Sequence, residues 1–184
     1  MLIGITGTFG SGKGAVVDYL VAKQGFRHVS ARKIWTQELE ARKMLVDRDT
    51  MTSFANTMRA EHGPAYFMER ALDTVESETE NVVIESVRTV AETQMLKDRG
   101  GVLLAVNADI KERYRRISGR GSALDKVSFD DFVRQEKLEL ENDDPNKQNV
   151  LKVVSMADLV INNNGTIKEL KESVNIFLNK YKND

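Results

Sequence analysis

Short apolar runs with little alternation recur along the chain at residues 2–6, 81–85, 102–106 and 158–161, and a weaker one covers 27–29. Such runs suit strands buried on both faces, as in parallel sheets. Between them the apolar positions change to helical spacing. Met51, Phe54, Ala55 and Met58 share one face, as do Phe67, Ala71 and Val75. Ile110, Tyr114 and Ile117 repeat the pattern, and so do Ile167, Leu170, Val174, Phe177 and Tyr181. Strands alternating with helices predict an α/β fold: a central parallel five-stranded sheet with helices on both faces. In open sheets of this kind ligands bind beyond the carboxyl ends of the strands, so the residues there are the candidates for chemistry.

Composition narrows the function classes. With 184 residues, 41% of them hydrophobic, the chain can bury one core of ordinary size. Lys and Arg total 27 against 28 Asp and Glu, so no global field exists to hold nucleic acid or a membrane surface, and neither is expected as a partner. The absence of cysteine excludes disulfides, thiolate catalysis and Cys-ligated zinc. No segment approaches the length that spans a bilayer and no basic targeting region follows Met1, so a cytoplasmic location is expected. Oligomeric state leaves no trace in the sequence.

The strongest chemical signal directly follows the first strand. Gly7, Thr8, Phe9, Gly10, Ser11, Gly12, Lys13 and Gly14 lie between an apolar run and the helical pattern that begins at Ala15. Glycines let successive backbone N–H groups turn around an anion, the helix N-terminus adds partial positive charge, and Lys13 brings a point charge to the β and γ phosphates. A hydroxyl residue usually follows the lysine to ligate Mg²⁺, whereas this chain has Gly14 and then Ala15. Phe9 reads better as a packing residue than as a base contact.

Other strand ends carry charges. Glu85 ends one strand, placed to hold Mg²⁺ through water, and Arg88 follows within reach of phosphate oxygens. Arg32 follows the second strand, and Arg59 lies at the rim of the Met51–Met58 helix face. Two cations facing one another across a cleft call for an anion between them, which an acceptor phosphate supplies. Arg116 and Arg120 border a glycine and serine stretch suited to closing over a transferring phosphate, while Lys111, Arg113 and Arg115 read as a solvated helix face. The acidic run from Glu136 to Asp144 reads as surface. His28 and His62 lack the spaced partners of a metal site.

Together these residues resemble the P-loop nucleoside-monophosphate-kinase-like group, which includes adenylate kinases and dephospho-coenzyme A kinases, over nearly the full length. Gly10-Ser11-Gly12-Lys13-Gly14 is similar to the adenylate kinase loop, with Ala15 in place of its threonine. Glu85-Ser86-Val87-Arg88-Thr89 resembles the family's acid, spacer, arginine and threonine segment, one residue shorter than in adenylate kinases. Arg116 and Arg120 correspond to arginines at the start of the family's lid. The stretch from Ala157 to Thr166, containing Asn164 and Gly165, resembles the dephospho-coenzyme A kinase loop near the adenine of ATP. The acid that those enzymes carry after the second strand aligns with Arg32, a permanent cation that cannot act as a base.

The resemblance implies one kinase-like domain, with a core of about residues 1–29, 79–117 and 147–184, an acceptor-binding segment of about 30–78 and a lid of about 118–146. It implies an ATP-dependent phosphotransferase using Mg²⁺ and moving the γ-phosphoryl to a small nucleotide-like acceptor. Lys13, Arg88, Arg116 and Arg120 would serve catalysis. Residues 7–15 with Asn164 and Gly165 would bind nucleotide, Arg32, Arg59 and Arg88 the acceptor, and Glu85 the hydrated metal. Two rivals stand beside this reading: a dephospho-coenzyme A kinase, and an ATP-binding switch or assembly factor with slow hydrolysis, for which Ala15 speaks.

Overall fold

A computed structural model describes residues 1–75, 80–119 and 128–181. Five parallel strands form the central sheet: β1 (Leu2–Thr6), β2 (Arg27–Ser30), β3 (Val82–Glu85), β4 (Val102–Asn107) and β5 (Leu159–Asn162). Their spatial order is β2-β3-β1-β4-β5. The apolar runs of β1, β3 and β4 are buried almost throughout because helices cover both of their faces.

Two side-chain clusters divide the core by strand alternation. Ile3, Ile5, Val83, Leu104 and Val106 point toward helices α1 (Lys13–Gln24) and α9 (Ile167–Tyr181), meeting Val16, Leu20, Val174 and Phe177. Val29, Val82, Ile84 and Leu103 point the other way, toward α2 (Ala31–Ala41), α3 (Arg48–His62), α4 (Tyr66–Leu72) and α5 (Val90–Asp98). Full burial of one such aliphatic side chain stabilises by about 1.5–3 kcal/mol, and the two faces together fix the strand register. Val75, read as part of the helical pattern after Phe67, falls beyond the end of α4.

Helices α6 (Ile110–Ser118), α7 (Phe129–Leu140) and α8 (Val150–Ser155) complete the fold. A third, smaller cluster of Phe9, Ile117 and Phe132 packs α6 and α7 against the loop that follows β1. Among the described residues no helix is long and apolar enough to cross a membrane.

Candidate active site

The loop between β1 and α1 owes its shape to glycine. Gly7, Gly10 and Gly12 have φ of 136°, 78° and 106°, in the region that side chains disfavour. A Cβ on Gly12 would stand 2.2 Å from Asn163 Nδ2, and one on Gly7 would stand 1.9 Å from the Val106 carbonyl oxygen. The loop carbonyls are tied back by donors from several elements. Lys13 Nζ donates to the carbonyls of Gly7 (3.0 Å) and Thr8 (2.8 Å), and Arg88 Nη1 donates to that of Gly7 (3.1 Å). Arg113 Nη1 donates to the carbonyl of Phe9 (3.1 Å) and Asn163 Nδ2 to that of Ser11 (2.8 Å). With its carbonyls held, the loop presents amides and the start of α1, which has no side-chain cap. That arrangement is a cradle for an anion.

Lys13 is buried, and its proton affinity lies well below that of an ordinary lysine, chiefly because burial disfavours its charge and then because Arg88 is close by. Glu85 is also largely buried, which alone would raise its pKa. The hydrogen bond from His28 and the charge of Lys13 outweigh that and hold the carboxyl below its usual value, so it is ionised at neutral pH. Strand register explains the partnership. Ser30 is paired with Glu85, so His28, two residues earlier on the same face, reaches Glu85 Oε2 at 3.1 Å.

Two cavities meet above the sheet. The first, about 430 Å³, is lined by Phe9, Gly10 and residues 12–15 of the loop together with Asp18, Ser30, Glu85 and three arginines. The second, about 120 Å³, lies between α2, α3 and α7 and is lined by Trp35, Met51, Ala55, Arg59, Glu139 and Gln148. Arg32, Arg48, Ser86 and Arg88 stand on the walls of both. Ser86 takes a left-handed φ of 75°, a conformation that costs a side-chain-bearing residue about 1–3 kcal/mol and recurs at functional sites. It turns the chain at the end of β3, and both its amide and that of Val87 donate to the Ile5 carbonyl.

Magnesium is the cation that phosphate chemistry of this kind uses. Asp18 and Glu85 are the carboxylates on the loop cavity, with the Ser30 hydroxyl beside them. Among the described residues no group of three or more His, Cys, Asp or Glu forms a cage for a metal. This sparse oxygen donor set fits Mg²⁺, which keeps several waters and takes one or two carboxylates plus phosphate oxygens.

Several residues stand differently from the sequence reading. Arg59 is not an uncompensated rim cation: it is 2% exposed, and its Nε bonds Glu92 Oε1 at 2.9 Å. Glu92 in turn receives the amides of Arg88 and Thr89 and closes a capping box at the start of α5. Arg113 is buried, not solvated; its Nε donates to the Ala108 carbonyl, and its guanidinium also pairs with Glu136. The acidic run is likewise not all surface, since Glu136 and Glu139 are buried against arginines. Phe9, by contrast, takes the packing role read from the sequence: it packs on Phe132 (centroids 5.6 Å apart) beneath the Arg48 guanidinium, 3.6 Å from its ring. Asn163, one residue before the predicted Asn164, contacts the loop, while Asn164 accepts from the Asp109 amide. Gly165 and Arg116 line a separate open cleft with Gly12 and Ala15, where Arg116 bonds Glu112 at 3.1 Å and leaves Nη1 buried without a partner. Arg120 lies outside the described residues.

Arg48 escaped the sequence reading altogether. It bonds Glu139 at 2.6 Å, and Glu139 also lies 3.7 Å from Arg88. No local motif marks it, because its partners lie on α7, the end of β3 and the loop.

The chain matches an AAA domain family model over residues 3–141. It is 28% identical over 176 residues to a UPF0200 protein of Pyrobaculum aerophilum, covering 94% of each chain. It is 29% identical over 181 residues to a UPF0200 protein of Thermococcus sibiricus, covering 95% of this chain and 92% of that one. The fold is similar to that of shikimate kinase from Bacteroides thetaiotaomicron (TM-score 0.62, 18% identity, 97% of this chain and 98% of that one). It is also similar to deoxyadenosine kinase from M. mycoides (TM-score 0.56, 12% identity, 97% and 100%). By its family match, its five-stranded parallel sheet and its glycine loop, the chain belongs to the AAA domain family and fits the P-loop nucleoside-monophosphate-kinase-like group.

Proposed function

We propose that the protein is an ATP-dependent phosphotransferase that moves the γ-phosphoryl of ATP to the phosphate of a nucleotide-like acceptor. The observation that carries this reading is the wall common to the two cavities, where Arg32, Arg48 and Arg88 are reached from both sides. A donor triphosphate in the loop cavity and an acceptor phosphate at the edge of the smaller one would meet among these cations. Charge there favours two anions held side by side, whose mutual repulsion otherwise opposes reaction.

In this reading Lys13 and the loop amides hold the β and γ phosphates, and Asp18 with Glu85 positions hydrated Mg²⁺. When bound, the metal would supply positive charge to the triphosphate. An acceptor oxygen attacks the γ-phosphorus as the bond to the bridging oxygen breaks, and ADP keeps the bonding electron pair. Arg88 and Arg48 screen the charge that spreads over the transferring oxygens. An anionic acceptor phosphate brings its own nucleophile, so no general base is required. That agrees with the acid nearest the acceptor, Glu139, which is committed to Arg48 and Arg88. Arg116, beside Gly12 and Ala15, faces the donor from the other side.

ADP production in the presence of nucleoside monophosphates tests the proposal. Acceptor-dependent turnover is expected. ADP formed only with dephospho-coenzyme A would assign the coenzyme A reading, and slow hydrolysis indifferent to every acceptor would assign a switch.

A further inference from the structure

The acceptor cavity is small and its polarity is divided. Its volume of about 120 Å³ is close to the roughly 150 Å³ that holds one benzene ring, which favours a single ring over a fused pair. Arg32, Arg48 and Arg88 stand where it meets the loop cavity, and Trp35, Met51 and Ala55 supply the apolar remainder. Trp35 gives the space an aromatic wall, the surface on which nucleobases pack.

Gln148 also lines this cavity. It sits just before α8, is 7% exposed, and its side-chain carbonyl Oε1 is buried without a hydrogen-bond partner. Buried amide oxygens are nearly always satisfied, so an orphan on the wall of a binding cavity points to a group brought by the ligand. A primary amide offers an acceptor and donors in one plane, and the hydrogen-bonding edge of a pyrimidine offers the matching pair. Cavity size thus favours a pyrimidine, whose polar edge can also satisfy the amide.

Resting on the phosphotransferase reading, we propose that the acceptor is a pyrimidine nucleoside monophosphate and that Gln148 reads its ring. The phosphate lies at the arginines, the ring lies against Trp35 and Met51, and the Gln148 amide meets the ring's polar edge. Gln148 is a specificity residue: it touches the acceptor far from the reacting phosphorus.

The test uses the full chain with ATP and Mg²⁺, following ADP with CMP, UMP, dTMP, AMP and GMP. At least one pyrimidine monophosphate should exceed both purine monophosphates in kcat/KM by about tenfold or more. Gln148→Met keeps the length of the side chain and removes the amide. It should raise the KM of the favoured acceptor by about 10- to 100-fold, with kcat and the KM for ATP within about threefold. Gln148→Glu keeps the shape but removes the donor, and is expected to raise the same KM should the first variant fail to fold. Faster turnover of AMP or GMP would overturn the inference and leave the phosphotransferase reading standing. An unchanged acceptor KM in the folded variants would remove Gln148 from the site. No ADP above the acceptor-free rate with any monophosphate would sink both readings together.

Discussion

Lys13 is held at 8% exposure, where burial first and then Arg88 lower its proton affinity against the opposing pull of Glu85 and Glu139. A buried charge of this kind serves a ligand at a cost to the unliganded fold. Lys13→Met is therefore expected to abolish phosphoryl transfer while raising the melting temperature of the unliganded protein by about 2–4 °C, the shift that ~1 kcal/mol gives in a chain of this size. The sign of the pH dependence follows. A lysine whose folded pKa is lowered costs stability in full below that pKa, and the cost disappears as pH rises toward the unfolded value of 10.5. The melting difference between variant and native chain should shrink over that alkaline window. A native chain that melts higher than the variant at neutral pH would contradict this account.

Arg32 and Arg59 both line the smaller cavity, yet they should behave differently when removed. Arg59 is locked to Glu92 inside the protein, and breaking a buried pair from one side costs about 3–5 kcal/mol. Arg59→Ala should lower the melting temperature by roughly 6 °C or more. Arg32 is exposed, so Arg32→Ala should leave stability within about 0.5 kcal/mol and instead raise the acceptor KM by about 10- to 100-fold. Equal losses of stability in the two variants would refute the distinction. Gly14 gives a third contrast. A Cβ there meets nothing within 4 Å, so Gly14→Ser, which places a hydroxyl after the lysine, should fold normally. Titration of activity against Mg²⁺ then shows whether the added oxygen tightens metal binding.

At the scale of elements, β1, its glycine loop and α1 were legible because each rests on neighbours in sequence: an apolar run, glycines at fixed spacing, helical periodicity. Arg88 was legible for the same reason, since its segment adjoins the end of β3. Arg113, Glu136 and Glu139 were not. Arg113 and Glu136 are buried where α6 and α7 pack together over the loop, Glu139 where α7 meets Arg48 of α3 and Arg88 after β3, and no local pattern separates a buried ion pair from a solvated charged face. Asn163 differs from Asn164 only by which side of the chain faces Ser11, a matter of register. The Arg113 to Glu136 pair gives an element-scale prediction. Glu136→Ala leaves the buried Arg113 guanidinium without its carboxylate, so α7 should exchange its amide hydrogens faster while the strands of the sheet keep their protection. Uniform acceleration across the sheet would mean that α7 is no separate unit.

Across the whole molecule, the anion cradle is braced from several directions. Arg88 reaches it from the end of β3, Arg113 from α6 and Asn163 from the end of β5, while Lys13 braces it from within. The loop is therefore in place before any ligand arrives. In kinetic terms, the conformational entropy of ordering it is lost when the chain folds and not when nucleotide binds, so association has no slow rearrangement of the loop to wait for. Nucleotide capture should then be limited by encounter with a cationic cleft, giving a bimolecular rate constant that is linear in ATP concentration and falls as ionic strength rises.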